Sequence, residues 1–242
     1  MNSKSKKLYE NKFIWNIVGS EFLQSYALSK KINLSFEEIY DCFVDDEFLD
    51  DEIYNIFEPE VVNIARAWIE LKNKTFKLKE AEAKTGEICN FPLNELKEVY
   101  GILVPNNENT ELFDLKSEKS KDFVSTLVYI KKNLYGRKTV ESVVEFLLQY
   151  RLWFLTQNWV GENANVFSML LIQSVLIYIG FSPLNLSIQE NGEEIFCVDR
   201  NSLNQLKEEP IEDWNNNKFF KEHLGVYIEK TNGFFDIDQF IV

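Results

Sequence analysis

The stretch Arg151-Leu152-Trp153-Phe154-Leu155-Thr156-Gln157-Asn158-Trp159-Val160-Gly161-Glu162-Asn163-Ala164-Asn165-Val166 joins two apolar segments through a short polar interval of small residues. Upstream, from Thr139, apolar side chains recur at helical spacing. Downstream, Val166 to Phe181 is almost wholly apolar and reaches Gly180, a residue free to take the left-handed conformation that closes a helix. This reads as helix, loop, buried helix, and it sets the expectation of a mainly α fold. No charged residue stands between Glu162 and Glu190, so a membrane span has to be weighed. The apolar heart is only 16 residues long, is interrupted by Ser168, Gln173 and Ser174, and has no Lys or Arg close to either end. A core helix of a protein with no membrane span fits better.

Working outward, helical periodicity continues over most of the chain, with helices expected at 12–31, 35–44, 61–72, 92–100, 119–134, 139–157, 165–180 and 200–208. Asn33 or Ser35 can cap the helix containing Phe36-Glu37-Glu38-Ile39. Pro59 suits a first helical turn before Val61, and Asn90 stands before Pro92 with Glu95 following. Strand signals are confined to two small β-hairpins. One pairs Leu186-Ser187-Ile188 with Ile195-Phe196-Cys197-Val198 across Glu190-Asn191-Gly192-Glu193, whose Asn-Gly tolerates positive φ. The other joins Gly101-Ile102-Leu103-Val104 to Glu111-Leu112-Phe113 through the Asn-rich Pro105 to Thr110 loop. The polar stretch Lys116 to Asp122 can separate an N-terminal helical region, 1–115, from a C-terminal one, 116–242; the default reading is a two-lobed single domain.

The chain has 242 residues, 45% of them hydrophobic and 14% aromatic, which is ample core material for a fold without metal or disulfide staples. Cys42, Cys89 and Cys197 are odd in number and widely spaced, so a reducing compartment is expected. The basic N-terminus leads into Leu8-Tyr9-Glu10-Asn11-Lys12 instead of an apolar run, which does not read as a secretory signal and places the protein in the cytoplasm. Free use of Asn, Lys and Ile suggests a bacterial or phage source with AT-rich coding. The formal net charge of −13 disfavours direct nucleic-acid binding and points to a basic partner, or simply to solubility.

That charge is concentrated. Between Glu37 and Glu60 stand eleven acids and no Lys or Arg, with Asp45-Asp46-Glu47 and Asp50-Asp51-Glu52 at the centre, interleaved with Tyr40, Phe43, Phe48, Leu49 and Tyr54. The segment lacks the Gly and alternating ligands of an EF-hand loop, so no metal site is expected there. It is either a solvated helical face or a surface that docks on a basic partner, even one that imitates a run of phosphates.

The segment of about residues 139–186 resembles the Fic (filamentation-induced-by-cAMP) family, whose signature HPFx(D/E)GNGRxxR lies in a loop before a helix ending in a Gly-Tyr-Pro-Pro-like turn; the upstream helix from Thr139 matches in apolar character alone. Glu162 stands at the acidic position, and Gly180, Phe181 and Pro183 match the turn. The rest departs from the pattern: the histidine position is Asn158, Gly-Asn-Gly is Asn163-Ala164-Asn165, and the two arginines are Val166 and Met169. In that family the histidine is the general base, the acid holds Mg²⁺, and the Gly-rich loop with its arginine cradles nucleotide phosphates. Asn158 cannot take a proton and Val166 cannot neutralise a phosphate, so the resemblance implies a degenerate ligand loop of Asn158, Glu162, Asn163 and Asn165 without catalytic residues or cofactor.

His223 is the only histidine, which excludes multi-His zinc sites, and its place in Phe219-Phe220-Lys221-Glu222-His223-Leu224-Gly225 suggests a structural role near a helix end. Trp153, Phe154, Trp159 and Phe167 flank the loop as core or as a partly exposed anchor. The expectation is therefore a non-enzymatic interaction protein, an inhibitor, immunity-type or regulatory factor, that binds a protein partner through its acidic and aromatic surface. Two alternatives stand beside it: a divergent nucleotidyltransferase moving AMP from ATP with Glu162 on Mg²⁺, and a nucleic-acid mimic blocking a DNA- or RNA-binding protein.

Overall fold

The uncharged segment after the polar interval becomes helix α7 (Ala164–Ile179), with most of its side chains buried. In this computed structural model, residues 5–86, 93–106, 108–134, 136–187, 195–196 and 198–232 are described. Gly180 closes α7 in the left-handed conformation (φ 81°), and the Phe181 N–H donates back to the Leu176 carbonyl at 2.9 Å. The chain then doubles back, and the buried Gln173 carboxamide fixes it by donating to the Leu184 carbonyl (2.9 Å) while accepting from the Leu184 N–H (2.8 Å). Gly161–Ile179 is long and apolar enough to cross a membrane by length and composition, and 67% of it is buried inside the fold.

The remaining helices are α1 (Lys12–Ser29), α2 (Phe36–Val44), α3 (Pro59–Thr85), α4 (Leu93–Leu103), α5 (Glu118–Leu134), α6 (Val140–Gln157), α8 (Arg200–Lys207) and α9 (Lys218–Asn232). The fold is mainly α, and no strand occurs among the described residues. Long α3 packs against α1, α4 and α7, while α6 packs against α5, α7, α8 and α9. Their buried side chains form one continuous core from Leu8 to Tyr227 that crosses the sequence division at 115/116, where Phe113 and Phe123 meet edge to face at 5.1 Å. Expected caps are in place at Ser35, which accepts from the Glu38 N–H, and at Pro59, the first residue of α3. The Asn90 cap lies outside the described residues.

Three expectations are corrected. The hairpin between Gly101 and Phe113 does not form: residues 101–103 are the last turn of α4, and Thr110–Asp114 is a 3₁₀ turn. Leu96, Val99, Tyr100 and Leu103 recur at helical spacing and are all buried, and a strand would send the adjacent buried pair Leu112 and Phe113 to opposite faces. Helix α3 runs on to Thr85, because strong helix formers with Lys74–Glu70 (3.1 Å) and Lys79–Glu82 (2.8 Å) pairs sustain it until Gly86 at φ 73°. Helix α9 replaces the helix end expected around His223; it buries only the narrow stripe Phe220, Tyr227 and Thr231, a weak periodic signal interrupted by Gly225. The turn of the other hairpin, Glu190–Glu193, with Ile188 and Cys197, lies outside the described residues. The flanking Ile195 and Phe196 form a short 3₁₀ turn in the core.

Candidate functional site

The loop between α6 and α7 is shorter than its sequence suggests. Asn158 is the left-handed cap of α6 (φ 49°), a conformation Asn tolerates better than most residues, and its side chain is exposed. Gly161–Asn163 is already a 3₁₀ turn leading directly into α7. The four residues of the expected ligand loop therefore diverge. Glu162 is exposed. Asn163 faces the buried Tyr100 phenol, which burial pushes above its ordinary pKa while Asn109 and Asn163 pull it down. Asn165 turns inward: its Oδ1 accepts from Arg151 Nη2, and its Nδ2 donates to the Phe196 carbonyl at 2.6 Å.

At the positions where the Fic family carries its arginines, Val166 and Met169 are buried core residues. Phe154, Trp159 and Phe167 are buried as well, and half-buried Trp153 lies 6.2 Å from Trp214. These aromatics are packing, with Phe154 and Trp159 edge to face at 5.4 Å. His223 sits inside α9, its Nδ1 3.2 Å from the Phe219 carbonyl, and burial lowers its pKa. No protein-family model, characterised protein or solved structure matches the chain.

The acidic segment is built differently. Ile39, Cys42, Phe43, Phe48, Ile53 and Phe57 point inward, with Phe43 and Phe48 rings 4.8 Å apart, while all eleven acids from Glu37 to Glu60 are exposed. The chain achieves this by following α2 with two short 3₁₀ turns, Glu47–Leu49 and Asp51–Asn55; Asp46 enters the first in the left-handed conformation and Asp50 caps the second. Arg66 of α3 holds this ribbon down. Its Nε donates to the Phe48 carbonyl (2.7 Å), its Nη2 donates to the Asp50 carbonyl (2.9 Å) and to Asp51 (3.0 Å), and its guanidinium lies 4.8 Å from the Tyr54 ring centre. Among the described residues, Asp51 alone of the eleven acids is in an ion pair, and no three His, Cys, Asp or Glu side chains gather where a metal ion would sit. The buried Cys42 thiol bonds Glu47 at 3.1 Å; burial, helped by that carboxylate, pushes its pKa up to about 12.

Between the acids lie apolar side chains that the fold leaves in water: Val44, Leu49 (57% exposed), Tyr54 and Ile56 (70% exposed). Phe43 and Phe48, expected on this surface, are instead its inner face. A shallow groove of about 360 Å³ borders the ribbon, its lining including Leu49, Tyr54, Asn63, Ile102 and Pro105.

Sequence reading missed Arg151. It sits in α6 only 2% exposed, where Nη1 donates to the Tyr227 hydroxyl (2.6 Å) and Nη2 to the Ile195 carbonyl (3.0 Å) and Asn165. The signal was present: position 151 lies at helical spacing from Val144, Leu147, Leu148 and Phe154, on the face that enters the core.

Proposed function

We propose that this chain is a non-enzymatic interaction protein that binds a basic protein partner through the ribbon from Glu37 to Glu60. The observation that carries this reading is the company the acids keep. Four of the ten exposed large apolar side chains among the described residues, Val44, Leu49, Tyr54 and Ile56, fall within this ribbon. A purely solubilising face has no use for them, whereas a docking surface combines apolar contacts that hold with surrounding charge that steers and selects. The adjoining groove offers a recess for one partner side chain, and Arg66 fixes the ribbon's shape in advance, which lowers the ordering cost of association. An inhibitor, immunity-type or regulatory role would follow from masking a basic functional surface.

The test is site-specific photo-crosslinking in the source cell with a photoreactive residue at Ile56, compared with one at the exposed Leu28 outside the ribbon. A basic protein captured at 56 and not at 28, and lost from the variant with Asp45, Asp46, Asp50 and Asp51 replaced by Asn, is the expected result. Capture that survives both this replacement and Ile56→Ser overturns the proposal. So does transfer of label from ATP with Mg²⁺ that Glu162→Ala abolishes, which would favour the nucleotidyltransferase. If the captured protein binds nucleic acid and the ribbon competes with that nucleic acid, the docking reading holds in its mimic form.

A further inference from the structure

Between α4, α5, α6 and α7 the core leaves a cavity of about 250 Å³. Its wall is chiefly aliphatic and aromatic, including Leu96, Leu127, Leu147, Phe154, Ile172 and Val175. Among its polar groups, the Ser168 hydroxyl already donates to the Asn165 carbonyl (3.1 Å) and the Tyr178 hydroxyl to Glu82. The one cationic side chain among the described residues that line it is Arg151. Three acceptors take Nη1 and Nη2, while Nε–H is buried without a partner. All three acceptors are neutral, and no carboxylate pairs with this guanidinium among the described residues. A guanidinium stays protonated inside proteins, so the chain holds a fixed positive charge beside an apolar void.

We propose that this cavity is a binding site for a small monocarboxylate with a hydrocarbon body, its tail among the aliphatic side chains and its carboxylate accepting from Arg151. A neutral hydrocarbon would fill the void but leave the charge without a counter-ion. A phosphate would bring more charge than one guanidinium balances and a hydration shell that this wall cannot replace. The volume exceeds the ~150 Å³ of a cavity able to hold benzene, so a medium-length chain or an aryl acid is the size class. Entry is from the side of α5 and α7, where Val128 is exposed and Val124, Leu127 and Leu171 are half-buried. Asn165 thereby gains a role independent of nucleotides: it helps hold the guanidinium from the side of the α6–α7 loop.

Isothermal titration of the full chain with decanoate and with decan-1-ol tests this. The acid is expected to bind and the alcohol to bind about tenfold more weakly, the difference a charged hydrogen bond supplies. Arg151→Gln should abolish that preference, and Leu171→Trp, which places bulk at the mouth, should weaken both ligands. Failure of the wild-type chain to bind decanoate, equal affinity for acid and alcohol, a preference that survives in folded Arg151→Gln, or full binding by Leu171→Trp would each overturn the assignment. If Arg151→Gln does not fold, the wild-type acid-to-alcohol comparison and Leu171→Trp still decide.

Discussion

The ribbon from Glu37 to Glu60 and the α6–α7 junction use charge in opposite ways. In the ribbon, eleven acids are all turned to water and the aromatics beneath them carry the packing. At the junction one cation is turned inward, and neutral groups from α9, the start of α7 and the turn at Ile195 converge on it. Charge at the surface is nearly free and therefore available for recognition. Charge in the core is costly and has to be matched by contacts or by a ligand. The first arrangement depends on many residues, none of them indispensable to the fold; the second depends on one.

That asymmetry predicts the largest effect. Arg151→Ala removes three hydrogen bonds, strands the Ile195 carbonyl and the Asn165 carboxamide, and enlarges an existing cavity, at an expected cost of about 3–5 kcal/mol in urea unfolding. Arg151→Met, which keeps volume and removes the charge, should recover part of the loss because the desolvation penalty disappears with the guanidinium. A loss below about 1 kcal/mol for the alanine variant would place this residue with the ribbon's acids and dissolve the contrast.

Helical organisation was legible because it rests on repetition. Helix α7 announced itself by an uncharged run ending at Gly180, and α2 by Ser35 and the spacing of Ile39, Cys42 and Phe43. The short hairpin at 101–113 was misread because a few apolar residues fit either period, and packing of Tyr100 against Phe113 (5.5 Å) and Phe167 (5.2 Å) selected the helix. The extension of α3 and the run of α9 past His223 were illegible for a related reason: their apolar faces are narrow. The ribbon's exposure followed from composition, but its split into inner Phe48 and outer Leu49 did not, since one 3₁₀ turn sends neighbours opposite ways. Arg151 could be read as a core position and not as a binding group, because that depends on Tyr227, Asn165 and Ile195, which are distant in sequence. Of the four polar residues that the resemblance to the Fic signature nominated, Asn158 and Glu162 face solvent, while Asn163 faces Tyr100 and Asn165 bonds Arg151, contacts that depend on residues outside the loop.

A second prediction sharpens the contrast using an acid that is inside. The Glu21 carboxyl of α1 accepts from the Leu186 N–H at 3.2 Å, and burial raises its pKa to about 7 against the pull of that N–H and of Lys230. Its folded-state pKa lies above the unfolded value, so the folded chain binds the extra proton. The stabilisation is complete below the ordinary carboxylate range and is lost as pH rises through about 7. Exposed Glu98 and half-buried Asp114, held low by Lys74 and Lys97 respectively, act in the opposite sense and lose stabilisation only in acid. Stability should therefore decline between pH 5 and 8, and Glu21→Gln, which keeps the acceptor for Leu186, should flatten that decline and gain about 2–3 kcal/mol at pH 8. An unchanged pH profile in the Gln variant would mean that water reaches this carboxyl.

The smallest expected effect is the most informative about the ribbon. Replacing Asp45, Asp46, Asp50 and Asp51 by Asn takes the formal net charge from −13 to −9. Asp50→Asn keeps a side-chain oxygen for the Glu52 N–H, now 3.0 Å from Asp50, and the one ion pair lost is that of exposed Asp51 with half-buried Arg66. Unfolding free energy should move by no more than about 0.5 kcal/mol per position, and the relief of mutual repulsion should offset part of that. A fold indifferent to these four charges has no structural use for them, so a partner affinity that collapses in the same variant would locate their purpose in recognition. A loss of several kcal/mol in the free chain would instead make the acids part of the ribbon's own architecture, and the exposed Leu49 and Ile56 would then need another account.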